Sequence, residues 1–482
     1  MKTEADTLYE ALKARDTRFD GLFFVAVSTT GIYCRPVCAV RLPRRERCSF
    51  YPSAAQAEAA GYRPCLRCRP ELAPGAAATD AVRRVSDRAV ARIEAGALAD
   101  GGLPGLAAEF GLSTRQLRRV IEQEYGVTPI ALAQTRRLLL AKQMLTDTRL
   151  RIADIAFASG FSSVRRFNHL FRTRYRLSPS DLRRDRAHVR SEACITLKLG
   201  YRPPLAWIAL TAFLVARGAP RSEAMHAERY ARSLRINACT GWIAVRPDPR
   251  RDLLQVEVAP TLLPVLAPLR TRLRQLFDMD ANPGVIDAHL GADPRLAASM
   301  AATPGLRVPG ALDGFELALR AVLGQQISVK AATTLFSRFT EFFGEALETP
   351  FPGLNRLPPT ATAIADAGLQ PIIERGLTRK RAETVQRLAQ AVASGALTLA
   401  PTADRDDTLA VLAAIPGIGP WTTQYIAMRA LADPDAFPAS DLALLKALSV
   451  KRGAALDARA EQWRPWRAYA AMHLWHHMAQ GG

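Results

Sequence analysis

Acidic residues are what this 482-residue chain is short of. Its 45 Asp and Glu face 65 Lys and Arg, a formal charge of +20 with an isoelectric point near 10.2. A surplus of that size disfavours cationic partners and points to a polyanion. Long apolar runs are missing too. The longest, Leu205–Ala216, falls short of the ~20 residues a spanning helix needs, so no membrane partner is expected. The opening Met1-Lys-Thr-Glu-Ala-Asp-Thr-Leu8 lacks an apolar core and reads against a secretory signal. Cysteine is scarce and unevenly placed, at 34, 38, 48, 65, 68, 194 and 239, with none beyond. Five of the seven fall in the first 68 residues, at spacings that suit a metal rather than a secreted disulfide frame. Low-complexity tracts are absent. These absences together predict a cytoplasmic protein without a small-molecule cofactor.

What is present exceeds one core. Hydrophobic residues make up 49% of the chain, and the length predicts three or four domains. Residues 1–190 hold 33 basic against 19 acidic residues, net +14, and the remainder 32 against 26, net +6. The first part therefore reads as the stronger electrostatic binder of nucleic acid. Glu71-Leu-Ala-Pro-Gly-Ala-Ala-Ala-Thr79 reads as a linker and Arg183–Arg190 as a second break. From Asp80 to about Arg186 the hydrophobic period is helical. After Ser191, alternation predicts strands at Cys194–Leu199, Tyr230–Ile236, Trp242–Arg246 and Leu253–Val258, with a helix at Leu205–Arg217. Beyond about Pro304 helical patterns return. The expected domains are 1–75, 80–188, 191–303 and 304–482.

Cys34-x3-Cys38 and Cys65-x2-Cys68 offer four thiolates in two close pairs, the donor set of one tetrahedral Zn²⁺. A purely structural zinc ribbon is one reading. The flanking residues suggest another. Phe24-Val-Ala-Val-Ser-Thr-Thr-Gly-Ile-Tyr-Cys34-Arg-Pro-Val-Cys38, with Cys48-Ser-Phe-Tyr51 and Ala60-Gly-Tyr-Arg-Pro-Cys65-Leu-Arg-Cys68, resembles the amino-terminal domain of the Ada family of adaptive-response regulators. That resemblance implies that Cys34 both ligates zinc and accepts a methyl group from a methylphosphotriester in DNA. Cys38, Cys65 and Cys68 would complete the ligand set, and zinc would be both structural and thiolate-activating. Cys48 lies off the quartet and reads as a small buried hydrophobe.

Leu106-Ala-Ala-Glu-Phe-Gly-Leu-Ser113 and Ile152-Ala-Asp-Ile-Ala-Phe-Ala-Ser-Gly-Phe-Ser162 form a weak repeat, each a helix with a glycine turn. Ser113 is a good N-cap, and Arg115, Arg118 and Arg119 would face a major groove from the helix that follows. In the second copy the recognition helix is predicted to start at Ser162 and to carry Arg165 and Arg166. A long helix, Pro129–Thr146, joins the two. The pattern resembles the AraC-type DNA-binding domain, which implies promoter sites as a partner and RNA polymerase as a further candidate. The Pro-Cys-His-Arg motif of the Ada methylguanine-transferring domain does not occur.

Leu412-Ala-Ala-Ile-Pro-Gly-Ile-Gly-Pro-Trp-Thr-Thr-Gln-Tyr425 sets a Pro-Gly-x-Gly turn between two helical patterns. Gly417 and Gly419 would let backbone N–H groups lie against a DNA phosphate. A lone carboxylate, Asp441, stands twenty-two residues past Gly419 in a short break. It reads either as an ordinary N-cap or as a catalytic group. The turn, the carboxylate and Ala321-Val-Leu-Gly-Gln-Gln-Ile-Ser328 with Trp463-Arg-Pro-Trp-Arg-Ala-Tyr469 resemble the helix-hairpin-helix DNA glycosylases of the 3-methyladenine glycosylase II type. That resemblance implies a base-excising enzyme acting on alkylated double-stranded DNA, with Asp441 catalytic. Trp421, Tyr425 and Trp466 would hold a flipped base, though each could equally be core. Gln326 takes the intercalating position and Trp421 replaces the lyase lysine, so a monofunctional glycosylase is implied. A regulator whose glycosylase half only binds damage is the alternative. His473, His476 and His477 read as surface or packing.

The expected fold class is multidomain α+β. It comprises a zinc-ribbon-like α/β module, an all-α tandem helix-turn-helix domain, an α+β sheet domain and a mostly α helix-hairpin-helix core. The DNA partners would make the protein nucleoid-associated.

Overall fold

The computed structural model describes residues 4–74, 85–94, 96–98, 102–184 and 194–480. Residues 75–79 of the expected linker and 185–190 of the expected break lie outside them. The chain divides into two compact units, Met1–Arg202 with Pro247–Thr271, and Pro203–Arg246 with Arg272–Gly482. The stretch 191–303 contributes to both.

In the first unit, β1 (Phe24–Val27), β2 (Ile32–Cys34), β3 (Cys48–Tyr51) and β4 (Arg63–Pro64) form a sheet in the order β3-β1-β2-β4. The β1–β2 and β1–β3 pairs are antiparallel, and β2–β4 is parallel with Tyr33 opposite Pro64. That register, with the Cys65 N–H donating to the Tyr33 carbonyl at 3.0 Å, brings Cys65 beside Cys34.

The helix-turn-helix repeat folds as read. Gly102–Glu109 ends at Gly111, whose φ of 63° is left-handed, and Ser113 caps Thr114–Tyr125 through a reciprocal capping box with Gln116. In the second copy Gly160 turns at φ 84° and Ser163 caps Val164–Tyr175, so the helix starts two residues after the expected Ser162. The long helix runs Pro129–Asp147 and is buried along most of its length. Its buried Lys142 donates to Glu71 at 2.6 Å, while Arg69 grips Asp147 through two bonds of 2.8 and 2.9 Å. All four are nearly fully buried, so removing one partner would strand a charge at roughly 3–5 kcal/mol.

Five further strands follow: β5 (Ile195–Gly200), β6 (Glu223–His226), β7 (Arg229–Ile236), β8 (Cys239–Pro247) and β9 (Leu253–Val258). β5 and β9 pair antiparallel in the first unit, and β6, β7 and β8 form an antiparallel meander in the second. β6 had no counterpart in the sequence reading, being short and polar. Helices resume at Leu266, earlier than the expected change near Pro304.

Two large hydrophobic clusters stand out in the second unit. One gathers Phe315, Phe336, Phe339, Leu388, Ile418 and Tyr425, the other Leu306, Met428, Phe437, Leu444, Trp463 and Tyr469. Trp475 packs against both.

Candidate functional site

The four sulfurs of Cys34, Cys38, Cys65 and Cys68 lie within 4.8 Å of one another. Zinc–sulfur bonds of ~2.3 Å require sulfurs about 3.8 Å apart, so the quartet fits a tetrahedral ion with small adjustment. Backbone N–H groups of Arg67 and Arg35 donate to the sulfurs of Cys65 and Cys68, each at 3.4 Å, and the Val40 N–H faces Cys38. Among the described residues no backbone N–H donates to Cys34. Cys48 is buried in the same cluster and donates to the Arg44 carbonyl at 3.3 Å.

On the helix-turn-helix domain, Arg115, Arg118, Arg119, Arg165 and Arg166 are all exposed on the two helices headed by Ser113 and Ser163.

In the second unit the hairpin comprises Arg405–Ala414, a turn through Ile415–Gly419, and Pro420–Arg429. Gly417 has φ 93°, and a Cβ there would sit 2.1 Å from the Thr384 hydroxyl, which itself donates to the Pro416 carbonyl at 2.8 Å. Glycine is therefore required on two counts. Gly419 differs. It is extended, and a Cβ there would meet nothing within 4 Å, which leaves its backbone face open. Pro420 takes the first helical position, where a missing N–H is harmless. Gln325 ties the neighbouring turn to this hairpin, donating to the Gly417 carbonyl and the Thr422 hydroxyl, each at 2.9 Å. Beside it, Gln326 is exposed at a left-handed φ of 59°.

Asp441 meets both of its readings. One oxygen, Oδ1, caps Leu442–Ala447 by accepting from the Ala443 and Leu444 N–H groups at 2.9 and 3.0 Å. The carboxylate is also held by two indoles: Trp421 Nε1 donates to Oδ2 at 2.8 Å and Trp475 Nε1 to Oδ1 at 3.0 Å. All four partners are N–H donors, so the fold directs both oxygens. The group is half-buried rather than enclosed. Trp421 and Tyr425 stack at 5.2 Å with planes 10° apart, and Trp475 leans on Tyr425 at 6.2 Å. Trp466, the third expected aromatic, instead meets His289 edge-on at 5.0 Å.

Sequence reasoning passed over three residues at this site. Trp475 was hidden among histidines read as surface or packing, of which His473 is buried. Phe213 stacks on Trp475 at 6.5 Å, and the Arg217 guanidinium lies 3.6 Å over the Phe213 ring. An aromatic near the end of the helix Trp207–Val215 and an arginine four residues on, just past that end, were the available signal. Burial lowers Arg217 from its ordinary value, opposed by Tyr425 and Asp441. For Tyr425, burial acts upward, but Arg429 and Arg217 outweigh it and hold the hydroxyl below the ordinary phenol value.

Known proteins share this arrangement in order. The metal binding domain of Ada matches residues 7–71, a helix-turn-helix domain 106–185, the AlkA N-terminal domain 196–313, and the HhH-GPD superfamily of base excision DNA repair proteins 319–463. A Mycobacterium tuberculosis protein named "Probable bifunctional transcriptional activator/DNA repair enzyme AlkA" is 38% identical across 98% of this chain and 97% of its own length. The chain belongs to that family. It is a fusion of an AlkA-type glycosylase with an Ada-like zinc sensor and an AraC-type regulator. The Escherichia coli DNA-3-methyladenine glycosylase 2 is 35% identical over 58% of this chain and 96% of its own. The solved 3-methyladenine DNA-glycosylase from Archaeoglobus fulgidus superimposes with a TM-score of 0.52 at 21% identity, over 58% of this chain and 98% of that one, and shares its fold. DNA is the partner of such domains. Among the described residues no helix is long and apolar enough to cross a membrane.

Proposed function

We propose that the second unit is a monofunctional glycosylase that releases 3-methyladenine-type bases from double-stranded DNA. The observation that carries this reading is the carboxylate of Asp441, gripped by two indoles beside a stacked Trp–Tyr pair. A flipped, electron-poor purine is held by aromatic faces. An alkylated purine is already cationic, so its glycosidic bond breaks without a general acid, and the electron pair leaves with a base that becomes neutral. The negative charge of Asp441 then steadies the electron-deficient sugar, water adds at C1′, and its proton is released. Gly417 and Gly419 grip the backbone and Gln326 fills the vacated space. The lyase position holds Trp421, so no Schiff base forms.

The first unit supplies the sensor. One zinc per chain, when bound, keeps the quartet as thiolates at neutral pH. The Cys34 sulfur attacks the methyl carbon of a methylphosphotriester, forming S–C and breaking C–O, and the phosphodiester departs as an anion. The transfer is stoichiometric and moves one negative charge from the protein's sulfur to the DNA phosphate, which strengthens binding. Arg115, Arg118, Arg119, Arg165 and Arg166 read promoter grooves, and RNA polymerase is the partner of the activated form. The four modules 1–75, 80–188, 191–303 and 304–482 divide these tasks.

The test is incubation with methylated duplex. Release of free methylpurines, without borohydride-trapped protein–DNA adduct, is expected. A trapped adduct contradicts the monofunctional assignment, and no released base contradicts the enzyme.

A further inference from the structure

The two helix-turn-helix copies are packed separately. Leu106, Leu117, Ile121 and Leu132 share the first core. The second copy is built on a ladder of rings, Phe161, Phe167, Phe171 and Tyr175, with successive centroids 5.2, 5.5 and 4.8 Å apart. One short helix of the zinc module, Ala54–Ala59, touches both.

Towards the first copy, Ala55 is buried in its core, and Gln56 Nε2 donates at 2.6 Å to the carbonyl of Tyr125, the last residue of the first recognition helix. Gly126 permits that approach, since a Cβ there would stand 2.7 Å from the Gln56 amide nitrogen. Positions two apart on a helix point to different sides, and Glu58 faces the second copy. Its carboxylate accepts from Thr135 of the long joining helix at 2.9 Å, and its carbonyl accepts from Arg174 Nη1 at 3.1 Å. The Tyr175 hydroxyl, at the end of the ring ladder, faces the same carboxyl. Arg174 and Tyr175 close the second recognition helix. The carboxylate also accepts from Tyr33, the neighbour of Cys34, at 3.0 Å, which ties this helix back to its own sheet.

Two recognition helices read one duplex only where their separation matches its helical repeat. The joining helix Pro129–Asp147 has 19 residues, or about 28 Å of rise. A hinge of about 7° at one end moves the other by roughly 3.4 Å, one base-pair step. A single long helix is therefore a weak ruler, and a second connection between the copies stiffens it.

We propose that Ala54–Ala59 is a brace that fixes the distance between the two recognition helices, with Gln56 and Glu58 as positioning residues that set the spacing of a bipartite DNA site. The proposal rests on the reading that both helices enter grooves of one duplex. It gives the zinc module a task in sequence recognition besides methyl capture.

The experiment is selection of sites from a random-sequence duplex pool by the full-length protein, for wild type, Gln56→Ala and Glu58→Leu, each with wild-type zinc content. Gln56 is only half-buried, so its truncation keeps the test open even where Glu58→Leu folds poorly. Wild type is expected to select two motifs at one spacing. Each variant is expected to select the same two motifs with the spacing spread by a base pair or more. Affinity for the wild-type spacing should fall about tenfold, while affinity for a duplex carrying one motif stays unchanged. A single unaltered spacing in Gln56→Ala overturns the brace. So does loss of one motif in that variant, because a residue that only sets distance leaves each motif intact. Wild type selecting one motif or none removes instead the two-groove reading on which the brace depends.

Discussion

The two proposed centres are built in opposite ways. The cysteine quartet draws its ligands from two turns between Cys34 and Cys68, brought together by one short strand pairing. The carboxylate site gathers Phe213, Trp421, Asp441 and Trp475 from helices spread over most of the second unit. A metal site can be local because the ion supplies the closure. A site closed by packing needs a whole core behind it. The first should therefore fail all at once and the second by degrees.

That contrast can be broken at its strongest point. Cys65→Ala removes a ligand next to β4, and zinc content and methyl uptake should both fall to background. Retention of a full zinc equivalent by metal analysis would show that the quartet is not one cooperative site. Asp441→Asn comes next. Its side chain can still cap the helix, so folding persists, while the loss of charge should lower the excision rate by roughly 10²–10³. Trp475→Phe keeps a ring against both cores but deletes one donor to Asp441, and about a tenfold loss is expected. Equal losses for Trp475→Phe and Asp441→Asn in single-turnover kinetics would remove the graded picture.

The smallest effect on either reaction belongs to Glu58. It is fully buried and accepts from Tyr33 and Thr135 at 3.0 and 2.9 Å, and burial pushes its carboxyl up to about 7. A carboxyl raised in the folded state binds a proton the unfolded chain has lost. Its contribution is therefore greatest at low pH and declines as pH rises from about 4.5 towards 7. Glu58→Gln should flatten that decline, worth roughly 1–3 kcal/mol, in urea midpoints compared at pH 5 and 7.5. A slope of unchanged steepness would show that another group carries it.

Legibility in the sequence followed the same divide. The quartet, the two glycine turns and the Ser113 cap are short-range patterns, and each folds where the residues placed it, with the second recognition helix starting two residues late. Asp441 was readable by its distance from Gly419. Trp475 and Arg217 were not, because nothing local marks a side chain whose partner lies on another helix. Trp466 had a plausible motif and Trp475 did not, yet Trp475 joins Trp421 in donating to the carboxylate. Strand β6 escaped for a related reason: Glu223-Ala-Met-His226 has no apolar alternation, and its Glu223 is buried against Arg232 and Arg320 instead. Long-range ion pairing overrode the local pattern.

The central claim is that one chain carries two independent chemistries, hydrolysis at Asp441 and methyl capture at Cys34. It is tested most directly by counting free methylpurine and protein-bound methyl from the same labelled methylated duplex. Wild type should yield both, Asp441→Asn only bound methyl, and Cys34→Ser only free base. Base released by Asp441→Asn at the wild-type rate, or label bound by Cys34→Ser, would contradict the account.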